Sequence, residues 1–216
     1  MSAGDDLAEY WNRAYAFGGM DRSWYQLVPV PSLAMLTAVG ADIGDTLIDV
    51  GGGASTLVDA LLDRGFRDVT VLDVSDEAMG VAQVRIGSQE GRVAWICADL
   101  LTWRPTRRYR IWHDRAVFHF LTTGESRERY LEVLRAATAP DSVAIFGCFA
   151  LDGPQSCSGL PTARYDAGGL GHVIGAEWEL ITQDEVDHVS PAGAVQPFTW
   201  AAFRRREGVS QQGWVV

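Results

Sequence analysis

Leu47-Ile48-Asp49-Val50-Gly51-Gly52-Gly53-Ala54-Ser55-Thr56-Leu57 decides how the rest of the chain reads. An apolar run ends at an acid, three glycines follow, and an apolar-periodic run then continues through Val58, Ala60, Leu61 and Leu62. This pattern predicts a buried strand, a tight turn and a helix. Glycine suits the turn because it tolerates positive φ and lets a ligand lie against bare backbone. The helix that follows aims its free N–H groups and positive dipole end back at the turn, with Ser55 or Thr56 as its cap. A strand, glycine loop and helix in that order form the usual mouth of a nucleotide-type pocket in an open α/β sheet. The dinucleotide fingerprint G-x-G-x-x-G is not met, since Thr56 stands where its third glycine would fall.

Working outward, Val69 to Asp73 reads as a second strand that ends in an acid 24 residues after Asp49. An acid at that point of a doubly wound fold hydrogen-bonds the ribose hydroxyls of a nucleoside, and Asp73-Val74-Ser75 fits that role. Ser75 caps a helix over about 76–88, and Val93 to Cys97 is a third strand, followed by Asp99 and Leu100. Tyr109 to His113 is a fourth strand, about 126–137 a helix, and Ser142 to Phe149 a fifth strand. Trp178 to Val189 and Phe198 to Arg205 read as two long strands joined by a turn, hence an antiparallel hairpin at one sheet edge. Upstream, a helix over about 5–17 precedes Phe17-Gly18-Gly19-Met20-Asp21-Arg22-Ser23-Trp24-Tyr25-Gln26, and Pro29 and Pro31 open a helix that Gly40 closes. The expected fold is α/β: a Rossmann-like, seven-stranded, mostly parallel sheet with helices on both faces and an antiparallel C-terminal hairpin. One domain spans 1–216, with an N-terminal helical arm over 1–40 and a core over 44–205.

The D-x-G-x-G arrangement of Asp49, Gly51 and Gly53 resembles motif I of the class I S-adenosylmethionine (SAM)-dependent methyltransferases. The resemblance covers about 44–150 well. It implies SAM as cofactor, with S-adenosylhomocysteine (SAH) as product. It also implies that Asp49 orients the methionine amino group, that the backbone of Gly51, Gly52, Gly53 and Ser55 passes under the ligand, and that Asp99 takes the adenine. The segment before motif I forms a lid in that family. His113 to Leu121 occupies the motif IV position, beside the sulfonium and the methyl acceptor, with Asp114 among the cofactor contacts. Tyr10-Trp11 and Asp114-Arg115 are similar to the subgroup of citrate synthase-lysine and elongation-factor lysine methyltransferases. That subgroup has Asp-Lys-Gly where this chain has Asp114-Arg115-Ala116, which turns the reading away from a protein-lysine substrate. Bacterial thiopurine- and tellurite-type enzymes share the size and layout.

Composition narrows the partners. Net charge is −10 with 28 acids against 18 bases, all of them arginine, which argues against a nucleic-acid substrate. No apolar run is long enough to cross a membrane, the acidic start lacks a secretory pattern, and the three cysteines fit neither a disulfide framework nor a zinc spacing. The expectation is a cytoplasmic protein without a metal.

Methyl transfer from a sulfonium needs donor and acceptor held in line, water excluded and sometimes a proton removed. His119 and His113, with Asp114 beside them, are the candidates for that proton, because imidazole titrates near neutral pH. Trp24, Tyr25, Cys157 and Arg164 are the candidates for the acceptor pocket. Cys157 sits between two serines in a loop after the fifth strand, at the sheet edge where open α/β proteins bind ligands. The reading is a methyltransferase for a small molecule. The alternatives are methylation of a protein lysine and a non-catalytic module that binds SAM or another nucleoside.

Overall fold

The computed structural model describes residues 3–16 and 22–207. Nine strands and six helices follow one another in that span. Helix α1 is Ala3–Ala16, α2 Val30–Ala38, α3 Leu57–Asp63, α4 Asp76–Ile86, α5 Gly124–Ala136 and α6 Ala167–Ile174. The strands are β1 Thr46–Val50, β2 Asp68–Asp73, β3 Val93–Cys97, β4 Ile111–Arg115, β5 Val143–Phe149, β8 Trp178–Val189 and β9 Val195–Arg205. The short pair β6 (Ser156–Cys157) and β7 (Leu160–Pro161) forms a separate ribbon. The seven long strands lie in the order β3-β2-β1-β4-β5-β9-β8, with β9 and β8 antiparallel and the rest parallel. The expected sheet and edge hairpin are therefore present. Phe17 to Asp21 of the expected lid, and both chain ends of the expected domain, lie outside the described residues.

Strands β1, β4 and β5 are buried because both their faces are covered, β4 while carrying His113, Asp114 and Arg115. One face packs on α2, α3 and α4 through Leu36, Leu57, Leu61 and Met79. The other packs on α5 and α6 through Tyr130, Leu134, Leu170 and Ile174. Each large apolar side chain so buried contributes roughly 1.5–3 kcal/mol. The outer strand β8 is mostly exposed and carries Glu179, Asp184, Glu185 and Asp187, charges that discourage pairing with another edge.

Three details refine the sequence reading. The helix after the glycines starts at Leu57, with Thr56 at its N-cap position. Ser55 Oγ accepts from Leu57 N at 3.1 Å, whereas the Thr56 hydroxyl leaves the helix and donates to Gln26 O at 2.9 Å. The connection from β3 to β4 holds no helix, because Asp99 folds it into a turn by accepting from Leu101 N at 2.9 Å. Strand β4 runs two residues later than the expected 109–113. Its register pairs Leu47 with Ile111 and Val50 with Asp114, while Tyr109 N is spent on Ala137 O. This shift puts His113 and Arg115 on one face of the sheet and Asp114 on the other.

Candidate functional site

A cleft of about 210 Å3 opens at the C-terminal ends of β1, β2 and β4. Its floor is the glycine turn and the strand ends, and its roof is α1 with residues 22–26. Asp49, Gly51, Gly52, Ser55, Asp73, Val74, Asp99 and Leu100 all line it, as do His113, Trp24, Tyr25 and Cys157. Gly53, Asp114, His119 and Arg164 do not.

The turn after β1 is shaped by what lies against it. A Cβ on Gly52 would stand 2.6 Å from Asp49 Oδ2 and 2.9 Å from Val71 Cγ1. Gly53 adopts φ +33°, and a Cβ there would stand 2.7 Å from Asp73 Oδ2. The two glycines thus form a cradle into which two carboxylates fit. Asp49 Oδ1 accepts from His113 Nδ1 at 2.7 Å, with both side chains buried. Asp49 Oδ2 and His113 Nε2 are buried with no partner among the described residues. Asp73 Oδ1 accepts from Ser75 N at 2.8 Å. Burial, reinforced by the charge of Asp49, pushes the Asp73 carboxyl up to about 6.

Asp99 stands beyond β3 and serves its turn through one oxygen while lining the cleft. Val74 and Leu100 add apolar wall between Asp73 and Asp99. The three acids belong to the ends of three adjacent strands, so the sheet itself sets their spacing.

On the opposite face of β4, Asp114 is fully buried. Its Oδ1 accepts from Val117 N at 3.0 Å and Phe118 N at 3.2 Å, and its Oδ2 accepts from the Tyr130 hydroxyl at 2.6 Å. Tyr130 accepts in turn from Trp112 Nε1 at 2.8 Å. Burial pushes Asp114 up to about 6, and every bond it makes pins the turn after β4. His119 is also fully buried, packed on Phe120 and Phe149, with both ring nitrogens unpartnered. Burial, with Arg115 nearby, lowers it to about 3, so it is neutral at ordinary pH. Arg164 ties down the loop after β5 by donating to Leu151 O at 2.8 Å and Gly153 O at 3.4 Å.

The roof is aromatic. Trp11 packs edge-on against Trp24 at 5.7 Å and Phe120 at 5.6 Å between ring centres. Trp24 Nε1 donates to the Tyr15 hydroxyl at 3.0 Å, and burial raises the Tyr15 phenol above its ordinary value. Ser75 Oγ donates to Asn12 Oδ1 at 2.7 Å, which docks α1 on the start of α4. Below Trp24, His188 Nε2 donates to Ser23 O at 2.6 Å and so ties segment 22–26 to the edge hairpin.

Sequence reasoning passed over Arg115, Trp11 and Tyr15 as site residues, yet all three line the cleft. Trp11 and Tyr15 carry a local signal, being four apart on one helix face, whereas Arg115 joins the face of His113 only because β4 runs on to residue 115. Among the described residues, no cluster of three His, Cys, Asp or Glu side chains is placed to hold a metal ion, and no helix is long and apolar enough to cross a membrane.

Residues 47–141 match the family model described as a methyltransferase domain. No curated protein matches the chain in sequence. Among solved structures, a SAM-dependent methyltransferase from Anabaena variabilis is 18% identical, covers 95% of this chain and 96% of its own, and superposes with TM-score 0.75. A structure on the conversion of a disulfide bond into a thioacetal group during echinomycin biosynthesis is 21% identical, with 94% of each chain covered and TM-score 0.73. The Burkholderia thailandensis 1,6-didemethyltoxoflavin-N1-methyltransferase, with bound 1,6-didemethyltoxoflavin and SAH, is 17% identical, with 96% and 92% covered and TM-score 0.66.

Proposed function

We propose, from the match of residues 47–141 to a methyltransferase domain and from the fold shared with a SAM-dependent methyltransferase, that this chain transfers a methyl group from SAM to a small-molecule acceptor. The observation that carries this reading is the alignment of Asp49, Asp73 and Asp99 along one cleft at the ends of β1, β2 and β3. Asp49 Oδ2, buried and unpartnered, suits an ammonium group. The bare backbone of Gly52 and Gly53 lets the Asp49 and Asp73 carboxylates sit against the turn, where any Cβ would displace them. Asp73 is placed for ribose hydroxyls and Asp99 for an adenine amino group, with Val74 and Leu100 as apolar walls. SAM, when bound, supplies an activated methyl group on an excellent leaving group.

The chain's own part is to bind, orient and exclude water. The backbone from Gly51 to Ser55 and the three acids orient the cofactor, and Trp11, Tyr15 and Trp24 close the roof. His113 lines this cleft, held by Asp49 through Nδ1, and its buried, unpartnered Nε2 is left as the candidate proton acceptor. Asp114 and His119 act on that geometry from behind, as supports of the turn after β4. Tyr25 and Cys157 complete the acceptor side, and Arg164 braces the loop that carries Cys157.

An aromatic roof favours a small acceptor over a lysine on a protein, and Asp114 offers no acidic groove because it is fully buried. The neighbour crystallised with 1,6-didemethyltoxoflavin is itself an enzyme of a small molecule. Calorimetric titration with SAM and SAH tests the reading. Micromolar binding of both is expected in the wild type, with a loss of at least tenfold in Asp49→Ala and in Asp73→Ala. Absence of binding in the wild type sinks the methyl-transfer reading.

A further inference from the structure

Among the described residues that line the cleft, the acids are Asp49, Asp73 and Asp99, and Arg115 is the cation beside them. The acids stand at the ends of β1, β2 and β3, on one side of the sheet order, and Arg115 stands on β4, one strand further towards β5. A nucleoside lying across the three acids therefore leaves Arg115 beyond its reacting end. The guanidinium is fixed in place. Its Nη2 donates to Trp24 O at 2.9 Å, and its central carbon lies 5.6 Å from the centre of the Phe198 ring. No carboxylate among the described residues comes within 4.0 Å of it, and Asp49 acts on it only from longer range. Burial pulls it down to about 10, which still leaves a cation at neutral pH.

A partly buried cation with no carboxylate against it is costly unless something supplies a counter-ion. Arginine offers five donors in a planar fork, and the Trp24 bond uses only one of them. The surfaces around it are flat and apolar: Trp11, Trp24 and Phe120, with the Cys157 thiol close by. We propose that Arg115 recognises the methyl acceptor, and that this acceptor is a small, flat molecule bearing a carboxylate or comparable oxyanion. The inference rests on the methyl-transfer reading and adds to it the chemical class of the substrate.

The test uses benzoate and its neutral counterpart benzamide as probes, added to the full chain saturated with SAH. Binding is read from the fluorescence of the cleft tryptophans and by calorimetry. The wild type is expected to prefer benzoate over benzamide at least tenfold. Arg115→Gln should erase that preference, Arg115→Lys should keep part of it, and neither should change SAH affinity by more than about twofold. A wild type that does not distinguish the two probes overturns the proposal. So does Arg115→Gln that weakens SAH tenfold but spares 5′-methylthioadenosine, because the cation would then hold the cofactor's own carboxylate. Equal weakening of both nucleosides overturns it as well, since Arg115 would then be structural. Failure of the wild type to bind SAH is a separate result that removes the methyl-transfer reading on which the inference stands.

Discussion

The carboxyl of Asp73 makes cofactor binding depend on pH in a calculable way. Burial and the charge of Asp49 push it up to about 6, so near that pH half of the free protein carries a protonated Asp73. Ribose hydroxyls donate their hydrogens, and the ionised carboxylate is the better acceptor for two of them. Binding that needs the ionised form has an apparent Kd multiplied by 1 + 10^(pKa − pH), which is about elevenfold at pH 5 and about 1.1-fold at pH 7. The difference is about 1.4 kcal/mol of binding free energy. Folding carries the opposite sign. A carboxyl raised above its unfolded value of 3.8 stabilises the free protein most fully below that value, and the contribution is lost as pH rises through about 6. SAH affinity measured by calorimetry at pH 5, 6 and 7 should therefore rise about tenfold while the stability contributed by Asp73 falls. In Asp73→Asn the affinity should be weaker and flat with pH. A flat wild-type profile, or the same slope in Asp73→Asn, refutes the placement of the ribose on this carboxylate.

Two further outcomes separate support from binding. Tyr130→Phe strands Asp114 Oδ2 and Trp112 Nε1 in the interior, and should cost about 2–4 kcal/mol in urea unfolding with SAH affinity almost unchanged. A loss below about 0.5 kcal/mol would mean that this buried chain does not anchor the turn after β4. Gly52→Ala pushes a methyl group against Asp49 Oδ2, and should weaken SAH at least tenfold, about 1.4 kcal/mol, by calorimetry. Unchanged affinity would show that the free oxygen of Asp49 is not used.

The parts of this molecule that were legible in the sequence are those set by chain-local chemistry. The strand ending at Asp49, the glycines after it and the Ser75 cap each follow from residue types a few positions apart, and Ser75 Oγ accepts from Ala78 N as its position implies. The spacing of Asp49 and Asp73 reflects one strand–helix–strand unit, so both acids reach the same cleft. What was not legible depends on pairing across the sheet. The register of β4 against β1 lies in neither strand alone, and it decides that His113 meets Asp49 while Asp114 turns to Tyr130. Arg115 was hidden for the same reason, because a strand thought to end at His113 gives no face to the residue two positions on. Likewise nothing local to His119 announces that Phe149 and Phe198, from β5 and β9, join the neighbouring Phe120 around its ring.

The roof helix α1 is attached to the body by side chains alone among the described residues. Asn12 meets Ser75, the Tyr10 hydroxyl meets Ser158 O, and Trp11 rests on Trp24 and Phe120. No backbone ladder joins it to the sheet. Swinging it aside therefore breaks three hydrogen bonds, those of Tyr10, Asn12 and Tyr15, each worth roughly 1 kcal/mol net, together with the ring contacts of Trp11, and leaves every strand pair intact. Traffic through the cleft is then a matter of gating frequency. Cofactor and product can exchange on the timescale of a local hinge, without the protein crossing its unfolding barrier, and turnover can be limited by how often the door opens instead of by bond making.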